Sequence, residues 1–126
     1  MPVSSKDRER CRAFLREGDN IRYLLLGTAI WLGVGPARAQ FYVVVTDNEV
    51  VVINRSWFGG RPKTLWNRYP RRIRLGPVSE QPSIGPMITL GSLHLEINDE
   101  FVSVVRAADA EVTEEEVLPP DPLPDL

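Results

Sequence analysis

The segment "QFYVVVTDNEVVVINRSW", Gln40 to Trp57, constrains the fold of this chain more than any other. Two runs of β-branched residues flank a short polar step at Asp47-Asn48. Valine and isoleucine lose rotamer freedom in a helix and fit a pleated sheet, so both runs read as strands. Aspartate and asparagine tolerate left-handed backbone, which places a tight hairpin turn between them.

Upstream, "RYLLLGTAIWLGVGPARAQ" raises the question of a membrane. Fifteen residues separate Arg22 from Arg38, and Gly27, Gly33, Gly35 and Pro36 interrupt them. A spanning helix needs about 20 apolar residues, so the segment is too short. "ARAQ" offers a small-x-small cleavage pattern, but a leader ending there would contain Asp7, Glu9, Glu17 and Asp19, unlike a basic n-region. The run is expected to be a buried first strand, with "GVGPARAQ" as the turn into the next.

Other segments extend the pattern. "SSKDRERCRAFLREGDN" predicts a short amphipathic helix with Ser4 or Ser5 as cap, Cys11, Phe14 and Leu15 on its apolar side, and Gly18 at its end. "FGGRPK" reads as a loop, "TLWNRY" as a strand, "RIRLGPV" as another strand through Ile73 and Leu75, and "SEQPSIGP" as a loop. "MITL" and "LHLEI" form a second hairpin about Gly91-Ser92, with Leu93, Leu95 and Ile97 on one face and His94 and Glu96 on the other. In "NDEFVSVVRAADAEV" the period changes: Phe101, Val104, Val105 and Ala108 predict a helix capped by Asp99. "TEEEVLPPDPLPDL" is acidic and proline-rich and reads as disordered.

The chain has 126 residues, about one domain's worth, and its 43% apolar content suffices for one core. Cys11 is the single cysteine, so no intrachain disulfide forms and a reducing, cytoplasmic setting is expected. The net charge of −2 hides a segregation. Residues 55–79 carry seven bases (Arg55, Arg61, Lys63, Arg68, Arg71, Arg72, Arg74) and no acid; from Glu96 onward ten acids face Arg106 alone. Such segregation marks an interaction surface or a tail, or else a tail that screens its own domain. One histidine, one cysteine and no metal-ligand spacing leave no hydrolytic or zinc constellation, so no catalytic residue, metal or cofactor is expected.

The expected fold class is mainly β: a bent antiparallel barrel or sandwich of about seven strands, capped by a C-terminal helix and preceded by a short N-terminal one. This order resembles the pleckstrin-homology (PH) fold, and the text is similar to bacterial PH-like domains of the actinobacterial type. The likeness is carried by "FYVVVTDNEVVVI", "RYPRRIRLGPV" and "LEINDEFVSVVRAADA" and spans roughly residues 21–110. It leaves residues 1–20 as a flanking helix and 111–126 as a tail. Members of that superfamily bind phosphoinositides, peptides or proteins at the open end formed by the first, third and sixth inter-strand loops. Here those loops are "GVGPARAQ", "SWFGGRPK" and "LGSL". Phosphoinositide binders carry a basic cluster at the first loop, where this chain has Arg38 alone.

The candidate binding residues are therefore Arg38, Trp57, Phe58, Arg61 and Lys63, with a basic face at Arg68, Arg71, Arg72 and Arg74. Trp57 either anchors a partner or packs back over the end of the sheet. Arginines alternating along a strand either track a nucleic-acid backbone or occupy an ordinary wet face. Three functions follow as expectations. The first is a non-catalytic module that binds a protein or self-associates. The second is peripheral binding to anionic lipid at the inner membrane surface through Trp57 and Phe58. The third is single-stranded nucleic-acid binding, which the overall acidity disfavours.

Overall fold

The two β-branched runs are strands in a computed structural model of the chain, which describes residues 3–31, 36–56, 60–81 and 84–117. β1 is Tyr23–Trp31, β2 is Pro36–Val45 and β3 is Glu49–Arg55. β1 pairs antiparallel with β2 from Tyr23 opposite Val45, and β2 pairs with β3 from Phe41 opposite Asn54 to Val45 opposite Val50. "PARAQ" thus begins a strand and is not a turn; residues 32–35 lie outside the described residues. No helix among the described residues is long and apolar enough to cross a membrane.

The β2–β3 turn is closed differently from the expectation. No described residue other than glycine has positive φ, so Asp47 and Asn48 are not left-handed. The Thr46 side chain replaces that device: its Oγ1 accepts from the N–H of Asn48 at 3.1 Å and of Glu49 at 3.0 Å. A local hydroxyl supplies the partners that a primed turn would otherwise arrange through backbone geometry.

β2 and β3 are apolar at consecutive positions because both of their faces are covered, and alternation is needed only where one face meets water. Val43, Val45, Val50 and Val52 face a main cluster with Leu25, Leu95, Phe101, Val105 and Ala108. Leu24, Tyr42, Val44, Val51 and Ile53 form a second cluster with Cys11, against which Val3, Phe14 and Leu15 also pack. That second layer comes from α1 (Ser5–Cys11), continued by a 3-10 turn at Arg12–Phe14. Ser4 caps it, accepting from the N–H of Asp7 at 3.2 Å.

β4 (Pro62–Pro70) follows β3, longer than "TLWNRY" and with two register shifts. The expected strand at "RIRLGPV" is absent. Leu75 is buried in the main cluster, but its N–H donates to Asp109 Oδ1 at 2.8 Å and that of Gly76 to Asp109 Oδ2 at 2.7 Å. A carboxylate on the C-terminal helix thus replaces a neighbouring strand. Conversely, "SEQPSIGP" is not merely a loop: β5 is Ser79–Gln81 and β6 begins at Ile84, running to Leu90. β6 and β7 (Leu93–Ile97) form the expected hairpin, with Gly91 at φ 60°, a region glycine enters without penalty. Leu93, Leu95 and Ile97 are buried, while His94 is exposed.

β7 returns to β1, pairing Gly27 with Ile97 and Thr28 with Glu96. Here a Cβ on Gly27 would stand 2.9 Å from Leu95 Cβ, so the close approach requires glycine. The result is one seven-stranded antiparallel sheet ordered β4-β3-β2-β1-β7-β6-β5. Among the described residues β4 and β5 do not pair. The sheet is therefore sandwich-like and open, not a closed barrel.

A 3-10 turn at Asp99–Phe101 leads into α2 (Val102–Val117), and Asn98 rather than Asp99 is its extended N-cap. Phe101, Val105, Ala108 and Val112 are buried along one side. The helix runs past Ala110, where a disordered tail was expected to start: Glu111 still bonds Tyr23 of β1, and Val112 is buried. Residues 118–126 lie outside the described residues.

Candidate functional site

The basic segment divides into residues that hold the fold and residues left on the surface. Arg68 belongs to the first group. One guanidinium nitrogen lies 2.5 Å from Glu49 Oε2 and another donates to the Phe14 carbonyl, so Arg68 ties β4 to β3 and to the end of the N-terminal helical segment. Glu49 is buried, and Arg16 meets it from the solvent side at 3.4 Å.

Arg71 is structural too. It donates to the Ala108 carbonyl at 3.1 Å and to Glu111 Oε2 at 2.9 Å. Arg22 bonds the other Glu111 oxygen and reaches Asp47 at 3.0 Å, while the Tyr23 hydroxyl donates to Glu111 Oε1 at 3.1 Å. Burial works to raise the Glu111 pKa, but hydrogen bonds from Arg22, Arg71 and Tyr23 outweigh it and hold the carboxyl below its ordinary 4.5. A carboxyl depressed on folding stabilises the native state above its unfolded pKa and loses that contribution as pH falls through the folded value. Acid unfolding below about pH 4.5 is thus expected to be less steep in Glu111→Gln than in wild type, as circular dichroism against pH will show.

The expected basic face is therefore not one surface. Arg68 and Arg71 are consumed by Glu49 and Glu111. Arg74 is exposed and has a partner of its own. Arg72 is exposed and makes no ion pair among the described residues.

The β3–β4 connection is fixed at its base. The Gly60 carbonyl accepts from the Tyr42 hydroxyl at 2.8 Å and from Arg55 Nε at 3.0 Å. Arg55 also donates to Gln40 Oε1 at 2.5 Å and stacks 5.9 Å over the Tyr42 ring. Burial pushes the Tyr42 hydroxyl up to about 12, against a smaller lowering by Arg55, so it stays a donor at neutral pH. Trp57 and Phe58 lie outside the described residues, and Arg38 is placed only as a position early in β2. Strand register puts the start of β2, the end of β3 and the start of β4 at one end of the sheet, which gathers Arg38, Arg61 and Lys63 there.

Arg61 and Lys63 are exposed and make no ion pair among the described residues. Beside them lie Leu65, whose residue type gives no sign of a surface position, and Trp66, an aromatic next to the arginine cluster. Leu65, 44% exposed, and Trp66, 49%, are the large hydrophobic side chains left open to solvent among the described residues. Trp66 is held edge-on to buried Phe41, with centroids 5.1 Å apart and planes at 71°. Prolines at both ends of β4 were the available signal, since proline is confined to edge strands, strand starts and bulges.

Two further titratable groups among the described residues are Cys11 and His94. Burial, reinforced by Asp7 and opposed by Arg8, pushes the Cys11 thiol up to about 12, which leaves it a neutral core residue. His94 Nδ1 lies 3.1 Å from Thr89 Oγ1 on an exposed face. Among the described residues no group of three or more His, Cys, Asp or Glu is placed to hold a metal ion. No protein-family model matches the chain, and neither does any curated protein or solved structure.

Proposed function

We propose that the chain is a non-catalytic, PH-like interaction module that binds a protein partner, or a second copy of itself, through β4 and the cations at its start. One observation carries this reading: Leu65 and Trp66 stand exposed together on an edge strand, next to Arg61 and Lys63. Exposed aromatic and aliphatic groups with neighbouring cations match the anchors found at protein interfaces. The order of strands and the C-terminal helix support the PH-like part of the proposal. Nucleic-acid binding loses support because Arg68 and Arg71 are held by acids within the fold.

The test compares wild-type protein with Leu65→Ser and Trp66→Ala in affinity capture and sedimentation, alongside flotation with vesicles containing phosphatidylglycerol. Truncating an interface anchor costs about 2 kcal/mol or more, roughly a 30-fold loss of affinity. A partner or dimer weakened by that factor, in variants with unchanged circular dichroism, supports the module. Flotation with the anionic vesicles, lost at high salt and with no protein retained, transfers the function to lipid.

A further inference from the structure

We infer that the free edge of β4, over Lys63–Trp66, is a strand-addition site for an extended acidic segment of a partner protein. This deepens the proposed function and rests on it. β4 ends the sheet and pairs with β3 alone, so its outer row of main-chain N–H and C=O groups has no strand beside it among the described residues. An edge of this kind templates pairing unless it is blunted.

Blunting by proline and by a side chain is confined to the ends. The two register shifts, at Lys63 and Trp66, bend the strand between those ends without placing another strand on its outer row among the described residues. Pro62 and Pro70 bound the strand. Near the C-terminal end, Asn67 Oδ1 accepts the Arg68 N–H at 2.8 Å, so a side chain already occupies that main-chain donor. Between these guards, Lys63, Thr64, Leu65, Trp66 and Asn67 are all exposed. The packing of Trp66 on Phe41 fixes the indole before any partner arrives, which lowers the ordering cost of docking. The doubly bonded Gly60 carbonyl fixes the entry to the strand in the same way.

Charge selects among occupants. No acid occurs in residues 55–79, and Arg61, Lys63 and Arg72 have no ion pair among the described residues. A second copy of β4 would bring the same cations to this edge, and like charges across strands are unfavourable. The chain's own acidic end has prolines at 119, 120, 122 and 124, which cannot donate to a ladder. A proline-free acidic segment with alternating apolar residues satisfies both the edge and its charge. Main-chain hydrogen bonds then supply affinity, and alternate side chains supply selectivity.

The experiment titrates the full chain, by fluorescence polarisation and by amide chemical shifts, with four labelled peptides. These are a capped octapeptide alternating glutamate and valine, its lysine counterpart, the glutamate peptide N-methylated at alternate residues, and residues 113–126. The glutamate peptide is expected to bind, with shifts centred on Lys63–Trp66 and weaker binding to Lys63→Glu. The lysine peptide is expected not to bind, and N-methylation to cost about tenfold for each 1.4 kcal/mol of lost hydrogen bonding. Equal binding of the N-methylated peptide overturns strand addition while leaving an acid-binding surface. Equal binding of residues 113–126 makes the occupant the chain's own end and overturns the inference. If no peptide binds but a dimer forms that Leu65→Ser dissociates, the foreign acidic segment is overturned while the interaction module stands. Failure of all peptides with no dimer and no partner overturns both.

Discussion

Deleting residues 1–20 is expected to abolish cooperative folding. Their helical segment is half of the cover on a two-faced sheet: Leu24, Tyr42, Val44, Val51 and Ile53 pack against Cys11 and its neighbours. Fully burying one large apolar side chain stabilises a protein by about 1.5–3 kcal/mol. Five such groups returned to water account for much of a total stability of about 5–15 kcal/mol. The truncated chain should bind anilinonaphthalene sulfonate, associate in sedimentation and show no sharp thermal transition. A melting temperature within a few degrees of wild type would show that this face needs no cover.

Arg68→Ala is the most damaging single substitution expected. It leaves the buried Glu49 carboxylate with only Arg16, whose side chain is 72% exposed, and strips the Phe14 carbonyl of its donor. Stranding a buried charge by removing its partner costs about 3–5 kcal/mol. Here the stranded group is the Glu49 side chain, 10% exposed, while Arg68 itself is 27% exposed. At this chain length that corresponds to a fall of about 10–20 °C in melting temperature. Arg16→Ala, which removes the solvent-side contact, should stay within about 1 kcal/mol of wild type. Replacing both partners, as in Glu49→Leu with Arg68→Met, should recover part of the loss, because the buried carboxylate that needed pairing is gone. An Arg68→Ala loss no larger than that of Arg16→Ala would refute the buried-pair account.

What the sequence shows of this fold follows from the range of the forces involved. The β2–β3 and β6–β7 hairpins are legible because their pairing is local and their residue types suit strands. The α2 period is legible for the same reason, in the spacing of Phe101, Val105 and Ala108. The consecutive valines of β2 and β3 also announce a sheet covered on both faces, which ties residues 3–15 to the core. Leu75 misleads, because its alternation with Ile73 imitates a strand while its backbone partner is Asp109, far along the chain. Pro86 misleads in the other direction: it suggests a loop, yet it sits in β6 just before pairing with β7 begins at Met87, where its missing N–H removes no bond to β7.

The candidate site follows the same logic. Arginines at 68, 71, 72 and 74 look alike in sequence, and only the distant acids Glu49 and Glu111 separate the structural ones from the exposed. Leu65 and Trp66 read as ordinary strand residues, since edge position depends on the order of all seven strands. The terminal prolines hint at it, and nothing else in the sequence does.

The return of β7 to β1 bears on how the chain is made. A ribosome releases β1, β2, β3 and β4 in order, and each can zip onto its predecessor through short-range contacts as it emerges. The opposite edge of β1 must wait until Ile97 has left the exit tunnel, and the cap formed by Phe101 and Val105 comes later still. For most of synthesis the nascent chain therefore presents an unfinished sheet with its main cluster uncovered on one side, the state in which such chains associate wrongly. The pace of translation from β5 through the start of α2 thus sets how long that vulnerable interval lasts.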